Sequence, residues 1–128
     1  MTDGRGAFAA LLNCIDGRAQ LPALEFVRNR FGVDHVDNVT EAGIVRYCSV
    51  STGGAETVAL QRSIDVSLNA HGSRQIAVAA HHDCAGNPVT DTFQRQQLLA
   101  AVTFLKARHP DLEVIGVWID EAWKATEV

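Results

Sequence analysis

Two short stretches carry residue types suited to metal chemistry. Asn13-Cys14-Ile15-Asp16-Gly17-Arg18 follows an apolar run, Ala7 to Leu12, and His81-His82-Asp83-Cys84 follows another, Ile76 to Ala80. Side chains of an extended segment alternate between faces, which lets Cys14, Asp16 and Arg18 project to one side. In a turn, the three-residue offset between His81 and Cys84 lets both converge on one point. Cys14, His81 and Cys84 together make a Cys2His set. Three protein ligands with a fourth position left to water is the arrangement of catalytic zinc sites.

Asp16 and Arg18 would be a weak surface pair if they stood alone. Beside a metal they have a use. Arg18 can hold the carboxylate in a fixed geometry, and Asp16 can then accept the proton of a zinc-held hydroxide and orient it. Blander readings stand beside this one: two buried cysteines with a capping histidine, or a structural metal closed by His82 or Asp83. A redox role is disfavoured, because no Cys-x-x-Cys is present. His82 could shuttle protons near neutral pH, although the commoner reading is an exposed loop histidine. His35, His71 and His109 carry no signal. Cys48 reads as a small buried hydrophobe.

Length and composition limit the rest. A chain of 128 residues fits a single domain, residues 1–128, near the size where oligomerisation helps. Net charge is −4 with no basic cluster, which argues against nucleic acid as a partner. No apolar run approaches the roughly 18 residues of a membrane span, so no membrane partner is expected. The first apolar run is too short for a signal peptide. Three widely spaced cysteines make a poor disulfide framework and fit a reducing compartment. The expected location is cytoplasmic.

The elements that must position the two motifs follow from periodicity. Residues 7–14 are consistent with a buried strand, and the run alone fits a helical segment equally. Pro22 suits a first helical turn, and Leu24, Val27 and Phe31 recur at helical spacing, giving a helix over 21–31 stopped by Gly32. Val33 to Thr40 reads as a short strand, broken by Glu41-Ala42-Gly43. Residues 44–52 are ambiguous. Ser51 or Thr52 is available to cap a helix over 55–70 that is apolar on two sides and so buried against two neighbours. Gln75 to Ala80 is the clearest strand and delivers the His81–Cys84 turn. Asp91-Thr92-Phe93-Gln94 resembles a capping box opening a helix that Pro110 ends. Glu113 to Ile119 is the last strand, followed by a Trp-bearing tail.

This βαβαβαβ order predicts a three-layer α/β fold: a central, mostly parallel four-stranded sheet with helices on both faces. Ligands of such sheets gather at the carboxyl ends of the strands, where connections diverge. Cys14 and His81 lie at the carboxyl ends of strands one and three. If those strands are neighbours, the motifs meet there.

Taken together, the motifs resemble those of the β-class carbonic anhydrases. That family carries Cys-x-Asp-x-Arg after its first strand and His-x-x-Cys after its third, here Cys14 to Arg18 and His81 to Cys84. Glu41-Ala42-Gly43-Ile44 stands where the family often has Asn-Ala-Gly-Asn, and the likeness spans roughly residues 8–120. Departures are Glu41 for the usual Asn, Ala80 and Ala85 for glycines common beside the ligands, and no long N-terminal helical arm. The resemblance implies Zn2+ held by Cys14, His81 and Cys84, with Asp16 and Arg18 as catalytic residues. It implies hydration of CO2 to bicarbonate by attack of zinc hydroxide, the reaction of a carbonate dehydratase (a lyase). It also implies a homodimer, with a smaller interface than the family norm. It permits Asp16 either to pair with Arg18, leaving the metal open above about pH 8, or to swing onto the metal nearer neutrality. Two alternatives stand beside it: another small electrophile such as COS or CS2, or a zinc-binding protein without turnover.

Overall fold

The computed structural model describes residues 6–49 and 54–128. Phe8–Asn13 (β1), His35–Thr40 (β2), Gln75–His81 (β3), Glu113–Ile119 (β4) and Ala125–Glu127 (β5) form one sheet in the order β2-β1-β3-β4-β5. The first four strands pair in parallel, and β5 runs antiparallel to β4. Three helices connect them: Gln20–Phe31 (α1), Ala55–Asn69 (α2) and Asp91–Arg108 (α3).

The continuous apolar runs of β1, β3 and β4 are what a parallel sheet covered on both faces requires. Alternation then sorts each strand. Ala10, Leu12, Ile76, Val78 and Val114 face one side, where Leu60 and Ile64 of α2 and Leu98, Ala101 and Leu105 of α3 close over them. Leu11, Ala77, Ala79, Ile115 and Val117 face the other, where Ala23 and Val27 of α1 cover them. Each fully buried Leu or Ile contributes about 1.5–3 kcal/mol relative to exposure, so these two layers dominate the fold's stability. The two-sided burial expected for α2 is half realised. Leu60 and Ile64 are buried, while Val58 and Val66 on the opposite side lie exposed.

The sheet carries one strand more than the four expected. The Trp-bearing tail does not trail off but turns back as β5. Asp120 drives that turn: its carboxylate accepts hydrogen bonds from the backbone N–H groups of Ala122 and Lys124, and Trp123 N–H donates to the Asp120 carbonyl. A three-residue strand is too short to show an alternation, and only the aspartate of its turn marks it in sequence.

Other boundaries shift for local reasons. The second strand begins at His35 rather than Val33, because the chain leaves α1 through Gly32 at φ 66° and needs the next residues to straighten. Residues 44–47, ambiguous by pattern, form a 3-10 turn. Gly54 occupies the N-cap of α2, and Ser51 and Thr52 lie outside the described residues. The capping box at 91–94 does not form. Thr90 caps α3 instead, its hydroxyl accepting from Phe93 N–H, which frees Asp91 and Gln94 for contacts described below.

Gly43, on the loop after β2, packs directly against the loop that carries Cys84. It sits at φ 61°, and a Cβ there would run into the backbone of Gly86 just past Cys84. Gly43→Ala should therefore lower stability by about 2 kcal/mol or more, from the left-handed backbone and the blocked approach together. Urea denaturation checks it; an unchanged midpoint would show that the loops can separate at no cost.

Candidate metal centre

β1 and β3 are adjacent, paired through Ala10–Ile76, Leu11–Ala77 and Leu12–Val78. From β1 the chain turns outward to β2 on one side, and β3 lies on the other, so the strand order reverses between β1 and β3. That is the crevice where ligands of open α/β sheets bind. Cys14 leaves β1 there, and His81 ends β3 there.

The three expected ligands come together. Cys14, His81 and Cys84 are all buried, and their donor atoms lie within 4.8 Å of one another. The Cys14 and Cys84 sulfurs are 3.8 Å apart. Two thiolates on one tetrahedral zinc, each at about 2.3 Å, would stand about 3.8 Å apart. His81 Nδ1 donates to the His82 carbonyl at 2.7 Å. That bond fixes the tautomer whose Nε2 carries a lone pair, and among the described residues Nε2 is buried with no hydrogen-bond partner. An orphaned ring nitrogen facing two sulfurs at this spacing fits a metal of zinc's size and softness.

The surroundings hold each ligand in place. Asn13 accepts from Cys14 N–H through its side-chain oxygen and donates to the Ala19 carbonyl, bending the chain as it leaves β1. Gln20 donates to the carbonyls of Cys14 and Asp16. Gln94, buried on α3, donates to the His81 carbonyl. Gly43 N–H donates to the Cys14 sulfur at 3.4 Å. Of these, Asn13 lies in the first motif stretch, Gln94 in the expected capping box, and Gly43 in the strand break that also resembles the family's Asn-Ala-Gly-Asn; Gln20 lies in none of them. Gln94 is read in sequence as the end of a capping box, whereas in the structure its side chain serves the His81 carbonyl.

A thiol proton can bridge the two sulfurs, 3.8 Å apart, with either one as donor. The Cys84 thiol, with His81 and Gly43 N–H behind it, holds Cys14 far below the ordinary thiol range against the opposing effect of burial. The same contact and burial push Cys84 far up. A metal that binds both sulfurs displaces that proton. Burial works to lower the His81 pKa, but the Cys14 sulfur and the His82 carbonyl outweigh it and raise it. Among the described residues the Cys14 sulfur lies close to Nε2 without closing a well-formed hydrogen bond. Cys48 lies apart, buried, with its thiol near the Ile44 carbonyl and its pKa pushed up to about 12 by burial.

Asp16 pairs with Arg18 rather than with the ligand atoms. Arg18 donates through Nε to Oδ1 at 3.1 Å and through Nη2 to Oδ2 at 2.7 Å, a bidentate fork. Asp16 Oδ2 is nevertheless only 3.9 Å from His81 Nε2. His82 is not a free loop histidine: its Nδ1 meets the Asp91 carboxylate at 2.8 Å, which raises its pKa. His71 also has a partner that pattern did not foresee, Asp37 on β2.

A family model described as "Putative carbonic anhydrase" matches residues 4–128. The chain belongs to the β-carbonic anhydrase family. Solved structures agree on its fold. The β-carbonic anhydrase isoform I of Trichomonas vaginalis superposes with a TM-score of 0.60 at 16% identity, covering 94% of this chain and 80% of that one. A β-carbonic anhydrase of Sordaria macrospora, described as tetrameric, gives 0.65 at 14% identity, covering 95% and 81%. The carbonic anhydrase of Glaciozyma antarctica gives 0.60 at 18% identity, covering 93% and 80%. No curated protein matches the sequence significantly. For this family member, the shared sheet explains why two motifs 70 residues apart in the chain meet.

The Asp16–Arg18 fork makes a pH prediction. Hydrogen bonding from Arg18 lowers the Asp16 pKa from 3.8 to about 2, more than its partial burial raises it. A depressed folded-state pKa contributes stability that is present above the ordinary value and lost as pH falls toward 2. Carbon-13 NMR of the Asp16 carboxyl should show a midpoint near 2, returning toward 3.8 in Arg18→Gln. A parental midpoint near 3.8 would mean the fork is not formed in solution.

Proposed function

We propose that this protein hydrates CO2 to bicarbonate at a zinc ion held by Cys14, His81 and Cys84. The observation that carries the reading is the buried, unpartnered His81 Nε2 beside two sulfurs at the separation a tetrahedral site needs. Membership of the carbonic anhydrase family supports the choice of substrate. Bound there, zinc would act as a Lewis acid and lower the pKa of a water from 15.7 toward about 7.

The chain's own residues do the rest. Cys14 and Cys84 bring two negative charges, which moderate the metal's acidity more than neutral imidazoles would. Asp16, ionised and locked by Arg18, presents Oδ2 at 3.9 Å from His81 Nε2. There it accepts a hydrogen bond from the attacking water and turns the oxygen's lone pair toward the carbon of CO2. One C–O bond forms, one C=O π pair moves onto oxygen, and the water's proton leaves to solvent, giving bicarbonate and H+. Arg18 keeps the carboxylate from swinging onto the ligand atoms.

Metal analysis and stopped-flow CO2 hydration test this together. Protein purified without chelator should hold about one zinc per chain, and Cys14→Ser, His81→Ala and Cys84→Ser should each lose most of it. Full zinc in Cys84→Ser would overturn the ligand set. Arg18→Ala frees Asp16 to bind the metal, so hydration at pH 8.5 should fall well below the parent. An equal rate would reduce the pair to a surface contact. Zinc-loaded protein that turns over neither CO2 nor another small electrophile would leave a binding protein on this fold.

We also assign the exposed Val58–Val66 side of α2 to contact with a second copy. A homodimer would give that helix the second buried face its sequence asks for, and one solved structure of similar fold is described as tetrameric. Sedimentation at micromolar concentration should show a species heavier than the 13.8 kDa chain, with Val58→Glu reverting it to monomer. A parent that sediments as monomer would remove the assignment.

A further inference from the structure

Among the described residues, two non-glycine positions adopt left-handed backbone, Asp83 at φ 57° and Trp123 at φ 59°. They sit on different loops, after β3 and after β4, yet both touch the same side chain. Arg18 Nη2 donates to the Asp83 carbonyl at 3.2 Å and Nη1 reaches its carboxylate at 3.4 Å. The Trp123 ring lies under the guanidinium, 4.2 Å from Cζ to the ring centroid. Left-handed backbone is tolerated by Asp but disfavoured for a large aromatic. Such conformations persist only where the surroundings over-determine them. Here the Asp120 turn fixes Trp123: Trp123 N–H bonds the Asp120 carbonyl, while the flanking N–H groups bond the Asp120 carboxylate. The same ring stands 6.0 Å from the His81 ring, so it borders the ligand cluster as well as Arg18.

We infer that Trp123, seconded by Asp83, is a positioning residue that clamps the Arg18 guanidinium and through it holds the Asp16 carboxylate off the metal ligands. In-plane donors of Arg18 are taken by Asp16 and Asp83, and Trp123 occupies a face that no hydrogen bond can hold. A guanidinium on a two-residue tether would otherwise have several rotamers; plane and face together leave one. Arg is suited to this double use, because it forks to a carboxylate while stacking on an aromatic ring. The strained turn after β4 thus has a function beyond reversing the chain into β5. The inference rests on the proposed roles of Asp16 and Arg18, and its test separates the two.

The variants are Trp123→Gly, which suits the left-handed backbone and removes the ring, and Trp123→Phe, which restores an aromatic face. The principal readout needs no turnover: exchange of the Arg18 Nε–H proton with water, followed by NMR on zinc-loaded protein. It should be about two- to fivefold faster in Trp123→Gly, the factor expected for an exposed cation–π contact, and close to parental in Trp123→Phe. The second readout is CO2 hydration in a cycle with Asp16→Asn. Trp123→Gly should slow the parent but leave the Asp16→Asn protein unchanged, because its effect runs through that carboxylate. If Trp123→Gly misfolds, Trp123→Asn, which also tolerates the left-handed backbone and removes the ring, should speed Nε–H exchange to the same extent. Unchanged exchange in a folded Trp123→Gly protein overturns the clamp, whatever the protein's activity. Faster exchange in a protein that hydrates no CO2 would uphold the clamp and overturn the proposed reaction.

Discussion

Everything at the candidate metal centre depends on β1 and β3 lying side by side. Neither motif is a site alone: one provides a single sulfur, the other a nitrogen and a sulfur. Parallel pairing requires that both strands point their carboxyl ends the same way, and a helical crossover has to carry the chain back between them. The two apolar layers above and below the sheet hold that pairing with far more energy than a few polar contacts could supply. The ligand geometry is thus set by hydrophobic burial some distance from the ligands, and the local hydrogen bonds of Asn13, Gln20 and Gln94 only trim it.

Charge within the site is arranged as a sequence of compromises. Cys14 and Asp16 lie two residues apart, and each is drawn toward its charged form by its own neighbours. Cys14 has the Cys84 thiol, the His81 ring and a backbone N–H; Asp16 has Arg18. Arg18 in turn is shared with Asp83. The fork spends the guanidinium's donors on carboxylate and carbonyl oxygens rather than on sulfur. The soft donors are therefore left free for a soft metal while the hard ones bind one another, the division expected of a candidate site for such a metal.

Most of this was legible in the chain. The runs before Cys14 and His81 are long enough, and apolar enough on both faces, to be read as buried parallel strands. Their exit residues carry the candidate ligands, which the fold brings together. What could not be read was anything decided by one or two residues of special backbone. Gly43 looks like a strand break, and only the structure shows its N–H turned to the Cys14 sulfur. β5 has three residues, too few for a period. The cap of α3 fell one residue earlier than the pattern implied, because Thr90 competes with Asp91 for the same role and Asp91 is drawn to His82. Trp123 gave no sign, since a cation–π contact between residues 105 positions apart leaves no spacing to detect.

The two borders of the sheet are unlike its interior. β2 exposes His35, Asn38 and Thr40, and β5 offers three residues whose Glu127 is tied to Arg30 of α1 at 2.7 Å. Unpaired strand edges are where chains stack on one another, and short or polar edges resist it. A sheet so bounded is poorly suited to growing sideways from molecule to molecule. Association through it would have to use helices, and in a partly unfolded chain loss of β2 bares the apolar edge of β1, while β3 stays covered until β1 or β4 also leaves.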